Sequence, residues 1–153
     1  MLSGSIKDKL YHLSDEFLSS RIMVLENGIM DSRKSSWEDT KSSAGDKYET
    51  SREMIQGEIS QNQRQLEEAK KLLSTLEIVK NTNSNSELII VGSLVKTNQG
   101  NFFLGIPVGM VELEGISYAL ISSSSPIGLQ LLGKKVGDRF KFLNKDFMIE
   151  RIE

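Results

Sequence analysis

Residues 44–50, Ala44-Gly45-Asp46-Lys47-Tyr48-Glu49-Thr50, separate two stretches of helical periodicity, and their reading decides how the chain folds. After them Ile55, Ile59, Leu66, Ala69, Leu73 and Leu76 recur at alternating intervals of four and three, with Asn62 in the one polar slot. This heptad seam predicts a helix that pairs with another helix along its length. Before them Ile6, Leu10, Leu13 and Phe17 form one stripe, and Leu18, Ile22, Leu25 and Ile29 form a second, shifted one. No proline occurs between Ile6 and Lys80, and glycine only at positions 28, 45 and 57. Two helices, each with an apolar face too narrow to fold alone, are expected to dock antiparallel through a short connection. The connection on offer is Ala44-Gly45-Asp46. Arms of about 35 residues would be roughly 50 Å long, and a rod of two helices has no deep core. Its functional assets are its faces and its tip.

Residues 81–87, Asn81-Thr82-Asn83-Ser84-Asn85-Ser86-Glu87, are polar and without periodicity, which reads as a linker. Beyond it the pattern changes to strands. Leu88–Val91 with Leu94-Val95, then Phe102–Leu104 and Ile116–Ile121, are β-rich runs between glycine and asparagine turns. Phe140–Phe142 and Phe147–Ile152 alternate at period two. Pro126–Leu132 reads as a short helix with proline at its first position, and Met23, Met30 and Met54 read as filling of the helical seam. The expected fold is α+β. A long antiparallel coiled-coil hairpin over residues 1–80 is followed by the linker and by a small antiparallel sheet with one short helix over residues 88–153.

Composition excludes several classes. A formal net charge of −2 gives no basic surface of the kind that duplex DNA binding requires, so no independent DNA binding is expected. The absence of cysteine removes disulfides and thiolate metal sites, and the single histidine, His12, removes multi-histidine sites. No run approaches a membrane span or a signal-peptide core, and a cytoplasmic protein is the expectation.

The two acids at the connection admit two readings. Asp46 with Glu49 three residues later is a capping-box pattern, and Gly45 suits the end of the preceding helix. Equally, both carboxylates can point outward and share one cation or its water. Around them Lys41, Lys47 and Arg52 either meet phosphate groups or pair with Glu38, Asp39 and Glu53. Trp37 is expected to pack across the hairpin against Tyr48 or Met54. In the second half, Ser125 reads as a helix N-cap before Pro126, with Ile127 apolar on an exposed turn.

This order of parts, with Gly45-Asp46-x-x-Glu49 at the hairpin turn, resembles the bacterial Gre transcript-cleavage factors. The most specific likeness is Ser125-Pro126-Ile127-Gly128-Leu129-Gln130-Leu131-Leu132-Gly133-Lys134-Lys135-Val136-Gly137-Asp138. It is similar to that family's Ser-Pro loop and helix followed by a Gly-Lys-x-x-Gly-Asp turn. The resemblance implies an FKBP-like sheet domain and binding to RNA polymerase. The sheet domain would seat at the secondary-channel rim through Ser124, Ser125, Pro126 and Ile127. The hairpin would carry Asp46 and Glu49 to the active centre, where Lys41, Lys47 and Arg52 could meet RNA phosphates. There the two acids would help hold a magnesium ion shared with the polymerase, and a water, so that the nascent RNA 3′ end of a backtracked complex is cut. The factor itself would be no enzyme and would hold no cofactor tightly.

The sequence departs from the family's pattern at three places. Lys47-Tyr48 stands for its Leu-Ser, Thr50 for its Asn, and Lys41-Ser42 for its Ala-Arg. These departures leave open a channel-binding regulator without cleavage stimulation, or an inhibitor. An FKBP-like isomerase or chaperone is a third reading. Residues 1–80 carry 12 basic and 14 acidic side chains, so weak grip on long extruded RNA is expected.

Overall fold

The structure, a computed structural model, describes residues 4–41, 45–81 and 86–153; the side chains of residue 36, residues 38–41 and residues 45–50 are outside the described set. Most of the expected linker, residues 82–85, also lies outside the described residues. Helix α1 spans Ile6–Lys41 and helix α2 spans Gly45–Asn81. Helix α1 starts at a reciprocal cap. The Asp8 N–H donates to Ser5 Oγ at 3.2 Å, and the Ser5 N–H donates to Asp8 Oδ2 at 3.3 Å.

The chain divides into two compact units, one formed by Glu16–Ser74 and one by Met1–Asp15 with Thr75–Glu153. In the first unit the helices pair as the spacing predicts. Ile59 and Ala69 are buried on α2, with Ile55, Asn62, Leu66 and Leu73 half-buried, and Leu18, Leu25 and Ile29 are buried on α1. A Cβ built on Gly28 would lie 3.4 Å from Asn62 Nδ2, so residues 28 and 62 meet. Since α1 ends at Lys41 and α2 begins at Gly45, that meeting requires the helices to run antiparallel. Glycine opposite the polar slot leaves room for the amide.

Three expectations about these helices are corrected. Gly45 and Asp46 belong to α2 rather than to the connection. Phe17, expected on the first stripe of α1, is 39% exposed, and the buried line passes through Leu18. Met23, Met30 and Met54 are 64%, 67% and 67% exposed and do not fill the seam. Each follows or precedes a seam residue (Ile22, Ile29, Ile55) by one position, a rotation of about 100° that carries it out to solvent.

The second unit holds strands β1 (Leu94–Thr97), β2 (Gly100–Leu104), β3 (Gly109–Leu113), β4 (Ile116–Ile121), β5 (Arg139–Phe142) and β6 (Lys145–Ile152), with helix α3 (Pro126–Leu131). They form one six-stranded sheet in the order β3-β4-β2-β1-β6-β5. The sheet is mixed, not antiparallel throughout, because β2 pairs with β4 in parallel. The chain reverses after β2, runs along β3, then reverses again at a tight turn. Two reversals restore the direction of β2, and β4 fills the place left between β2 and β3.

Strand β3 carries Glu112 among its apolar residues and is not legible as a strand from composition. Conversely, Leu88–Val91 makes only an isolated bridge, Leu88 to Lys135. The run is broken by a turn in which the Ser93 N–H donates to the Ile90 carbonyl at 3.0 Å.

One sheet face holds a core of Ile89, Val95, Leu104, Leu131 and Ile149, all 1% exposed or less, with Ile127 and Phe140 packed partly against it. The other face receives the start of α1. There the Tyr11 ring meets Phe103 edge-on at 5.2 Å and 88°, and Leu10 is fully buried. Gly92, at φ +97, closes this joint, since a Cβ there would lie 2.5 Å from Val79 Cγ1 and 2.9 Å from the Tyr11 hydroxyl.

Burial, and secondarily the Asp8 carboxylate, hold the Tyr11 hydroxyl above the usual tyrosine range. An unfolded chain therefore loses this proton first as pH rises, and the stability linked to it is complete below about pH 10 and lost above it. The urea midpoint is expected to fall as pH passes about 10, and Tyr11→Phe should make that fall shallower.

Candidate functional site

The first candidate region is the start of α2. Asp46 and Glu49 are the second and fifth residues of α2, Asp46 in its first turn and Glu49 at the start of its second. Residues three apart on a helix are about 60° apart around its axis, so both positions share one side. Asp46 is thus inside the helix rather than at its N-cap, and the side chains of both acids lie outside the described set. The aligned N–H groups of a first turn favour negative charge there. Among the described residues no three histidine, aspartate or glutamate side chains gather where a cation could sit. The side chains of Asp46 and Glu49 lie outside those described residues.

Of the expected RNA-contacting cations, Arg52 is exposed on α2, while the side chains of Lys41 and Lys47 lie outside the described set. Trp37 is 63% exposed; Met54, one of its two expected partners, is 67% exposed, and the side chain of the other, Tyr48, is not described.

The second region is the loop into α3, in the sheet unit. Ser125 is the N-cap expected from sequence, in an extended conformation with Pro126 following at the helix start. Its hydroxyl donates to the Ser122 carbonyl at 2.6 Å and accepts from the Gly128 N–H at 3.1 Å. Ser122 Oγ and Ser124 Oγ lie 2.8 Å apart, and the Ser124 N–H donates to Ser122 Oγ at 3.1 Å. Gly128 is required by space: a Cβ there would collide with the Ser122 carbonyl oxygen and stand 2.8 Å from Ser125 Oγ. Downstream, Gly133 and Gly137 adopt φ +79 and +93, values at which glycine is unstrained. Asp138 Oδ2 accepts from the Lys135 N–H at 2.9 Å and closes the turn. Local geometry accounts for each of these residues of the Ser125–Asp138 stretch.

Ser125→Ala should therefore cost about 1–2 kcal/mol, measured as a lower denaturation midpoint with the fold retained. Ser124→Ala should cost under about 0.5 kcal/mol, because Ser124 is exposed.

Ser124 and Pro126 are exposed, whereas Ile127 is half-buried against the core and not the free apolar side chain expected. Ile127 and Leu131, four apart, define the inward stripe of α3. Leu129, on the opposite side, is 62% exposed, and Val136 in the following turn is 56% exposed. The signal was present in the i, i+4 spacing of the two core residues. Compared with family models, with curated proteins and with solved structures, the chain matches none.

Proposed function

We propose that this chain is a Gre-like transcription elongation factor. It binds RNA polymerase through the secondary channel and stimulates the polymerase's own cleavage of backtracked RNA. One observation carries the reading: Asp46 and Glu49 are the second and fifth residues of the second helix of a long antiparallel pair, and only three residues separate the two helices. That is where two carboxylates can be carried to a reaction centre belonging to another enzyme. The sheet unit, read as FKBP-like, would anchor the factor at the channel rim through the loop Ser124–Ile127, where Ser124 and Pro126 are exposed.

In this mechanism the protein's part is positioning. Asp46 would contribute oxygen to the shared magnesium and Glu49 would orient the attacking water, each held by the backbone of one helical turn. The chemistry such an ion would supply is polarisation of the phosphodiester and a lower proton affinity of the water. A second reading, a channel-binding regulator that leaves RNA intact, is favoured by Lys47-Tyr48 between the acids, which brings a cation and a ring into the turn.

Addition to a backtracked complex of the cognate polymerase separates the readings. Shortened RNA supports the factor, and tight binding with intact RNA supports the regulator. Failure to bind polymerase at all removes both.

A further inference from the structure

Strand β5 is one edge of the sheet. It joins β6 through Leu143-Asn144, at φ +49 and +64, the two-residue turn with both φ values positive. In such a hairpin the flanking pair Phe142–Lys145 is mutually hydrogen-bonded, as is every second pair after it. The N–H and C=O groups of Arg139 and Lys141 therefore point away from β6, along the free edge. Their side chains lie on one sheet face, while Phe140 and Phe142 lie on the other, where Phe140 packs against the core.

The edge is also strongly basic. Lys134, Lys135, Arg139, Lys141 and Lys145 fall in residues 134–145, with Asp138 as the only acid. None of the five forms an ion pair among the described residues, not even Lys141 with Asp146 directly across from it in register.

Lysines commonly guard sheet edges against stray pairing, but that does not account for Leu143. It is 80% exposed in a left-handed conformation that disfavours leucine. The equivalent strained residue of the β3–β4 turn, Glu114 at φ +53, is tied to Lys9 at 2.6 Å. Leu143 has no such tie.

We propose that the free edge of β5 is a docking strand for an extended segment of a partner protein in which acidic and apolar residues alternate. Added antiparallel or parallel, such a segment satisfies the outward N–H and C=O groups of Arg139 and Lys141. Its acids fall beside those two cations, and its apolar residues fall beside Phe140 and Phe142. Leu143 extends the apolar contact past the end of the strand. A nucleic-acid strand fits less well, because it needs open aromatic faces on which bases stack. Phe140 is instead stacked on Phe147 at 4.9 Å, and Lys134 Nζ lies 5.3 Å from its ring centroid.

The test is titration of the full, isotope-labelled chain with a peptide of about eight residues alternating glutamate and valine. Three comparison probes are a peptide of the same composition with the glutamates grouped, a backbone-N-methylated copy, and a single-stranded oligouridylate. The alternating peptide should bind and slow hydrogen exchange at Arg139 and Lys141, and the methylated copy should not bind. Lys141→Pro removes one outward N–H at an edge position and leaves the β5–β6 ladder intact. It should weaken binding by about tenfold with an unchanged unfolding midpoint. Equal binding of the grouped peptide, preferential binding of the oligouridylate, or no perturbation of β5 by the alternating peptide would each overturn the proposal. So would concentration-dependent protection of the same amides without peptide, which would make a second copy the occupant.

Discussion

Asp46→Ala/Glu49→Ala should abolish stimulated RNA cleavage in a backtracked complex, by at least about a hundredfold, while polymerase binding is retained. The expectation follows from where the two residues stand. They are the second and fifth residues of α2, and in intrinsic propensity alanine is at least as good a helix former as either acid. The hairpin should therefore keep its form. Lost capping or charge–dipole interaction at the helix start costs no more than about 1–2 kcal/mol of helix stability. The two effects are thus separable. If the acids serve only to start the helix, the double variant unfolds slightly earlier and cleaves at the native rate. If they serve the reaction, unfolding is nearly unchanged and cleavage collapses. The single variants sharpen the division of roles. Loss of metal affinity should follow Asp46→Ala and be overcome by raised magnesium, whereas Glu49→Ala should remain slow at any magnesium concentration.

Gly128→Ala should be strongly damaging to the sheet unit, lowering stability by about 2–4 kcal/mol and the melting temperature by roughly 10 °C or more. The added carbon would strike the Ser122 carbonyl, the same oxygen that accepts the Ser125 hydroxyl, and would crowd that hydroxyl as well. Backbone on one side and the helix cap on the other leave no flexible end to yield. The loop would have to open, freeing the Gly128 N–H and pulling Ile127 and Leu131 from the core. Gly57→Ala is the matched control. A Cβ at Gly57 meets nothing within 4 Å and the residue is inside α2. Alanine there should stabilise by about 0.5–1 kcal/mol. Opposite signs for the same chemical change, read by calorimetry, check the local packing directly.

The helices were legible because their information is local. Ile55, Ile59, Leu66, Ala69, Leu73 and Leu76 mark the seam by spacing alone, and even the polar slot at Asn62 is visible in the row. What the row does not show is Gly28 as its partner, a pairing between residues 34 positions apart. The sheet was legible in its strong strands and not in its order. A parallel β2–β4 pair depends on which strand fills a gap, and β3, with Met110 and Glu112 facing outward, lacks an apolar run to announce itself.

The candidate sites divide in the same way. The Ser125 cap follows from two adjacent residues and is found as expected. Exposure of Leu129 instead of Ile127 is decided by which side of α3 meets Val95, Leu104 and Ile149, residues remote in sequence. Asp46 and Glu49 could be placed at the hairpin turn by pattern, but the capping box, which makes Asp46 the N-cap, placed it two positions too early. The helix already includes Gly45.

The chain has no cysteine, so Asp46→Cys introduces a single thiol to which a chelated iron can be attached. With that probe bound to the polymerase in a backtracked complex, local hydroxyl radicals report what lies beside the first turn of α2. The expected result is scission of the nascent RNA near its 3′ end and of the polymerase segments that form the catalytic centre. Scission confined to the polymerase's outer surface, or none above that of free chelate, would contradict the central claim.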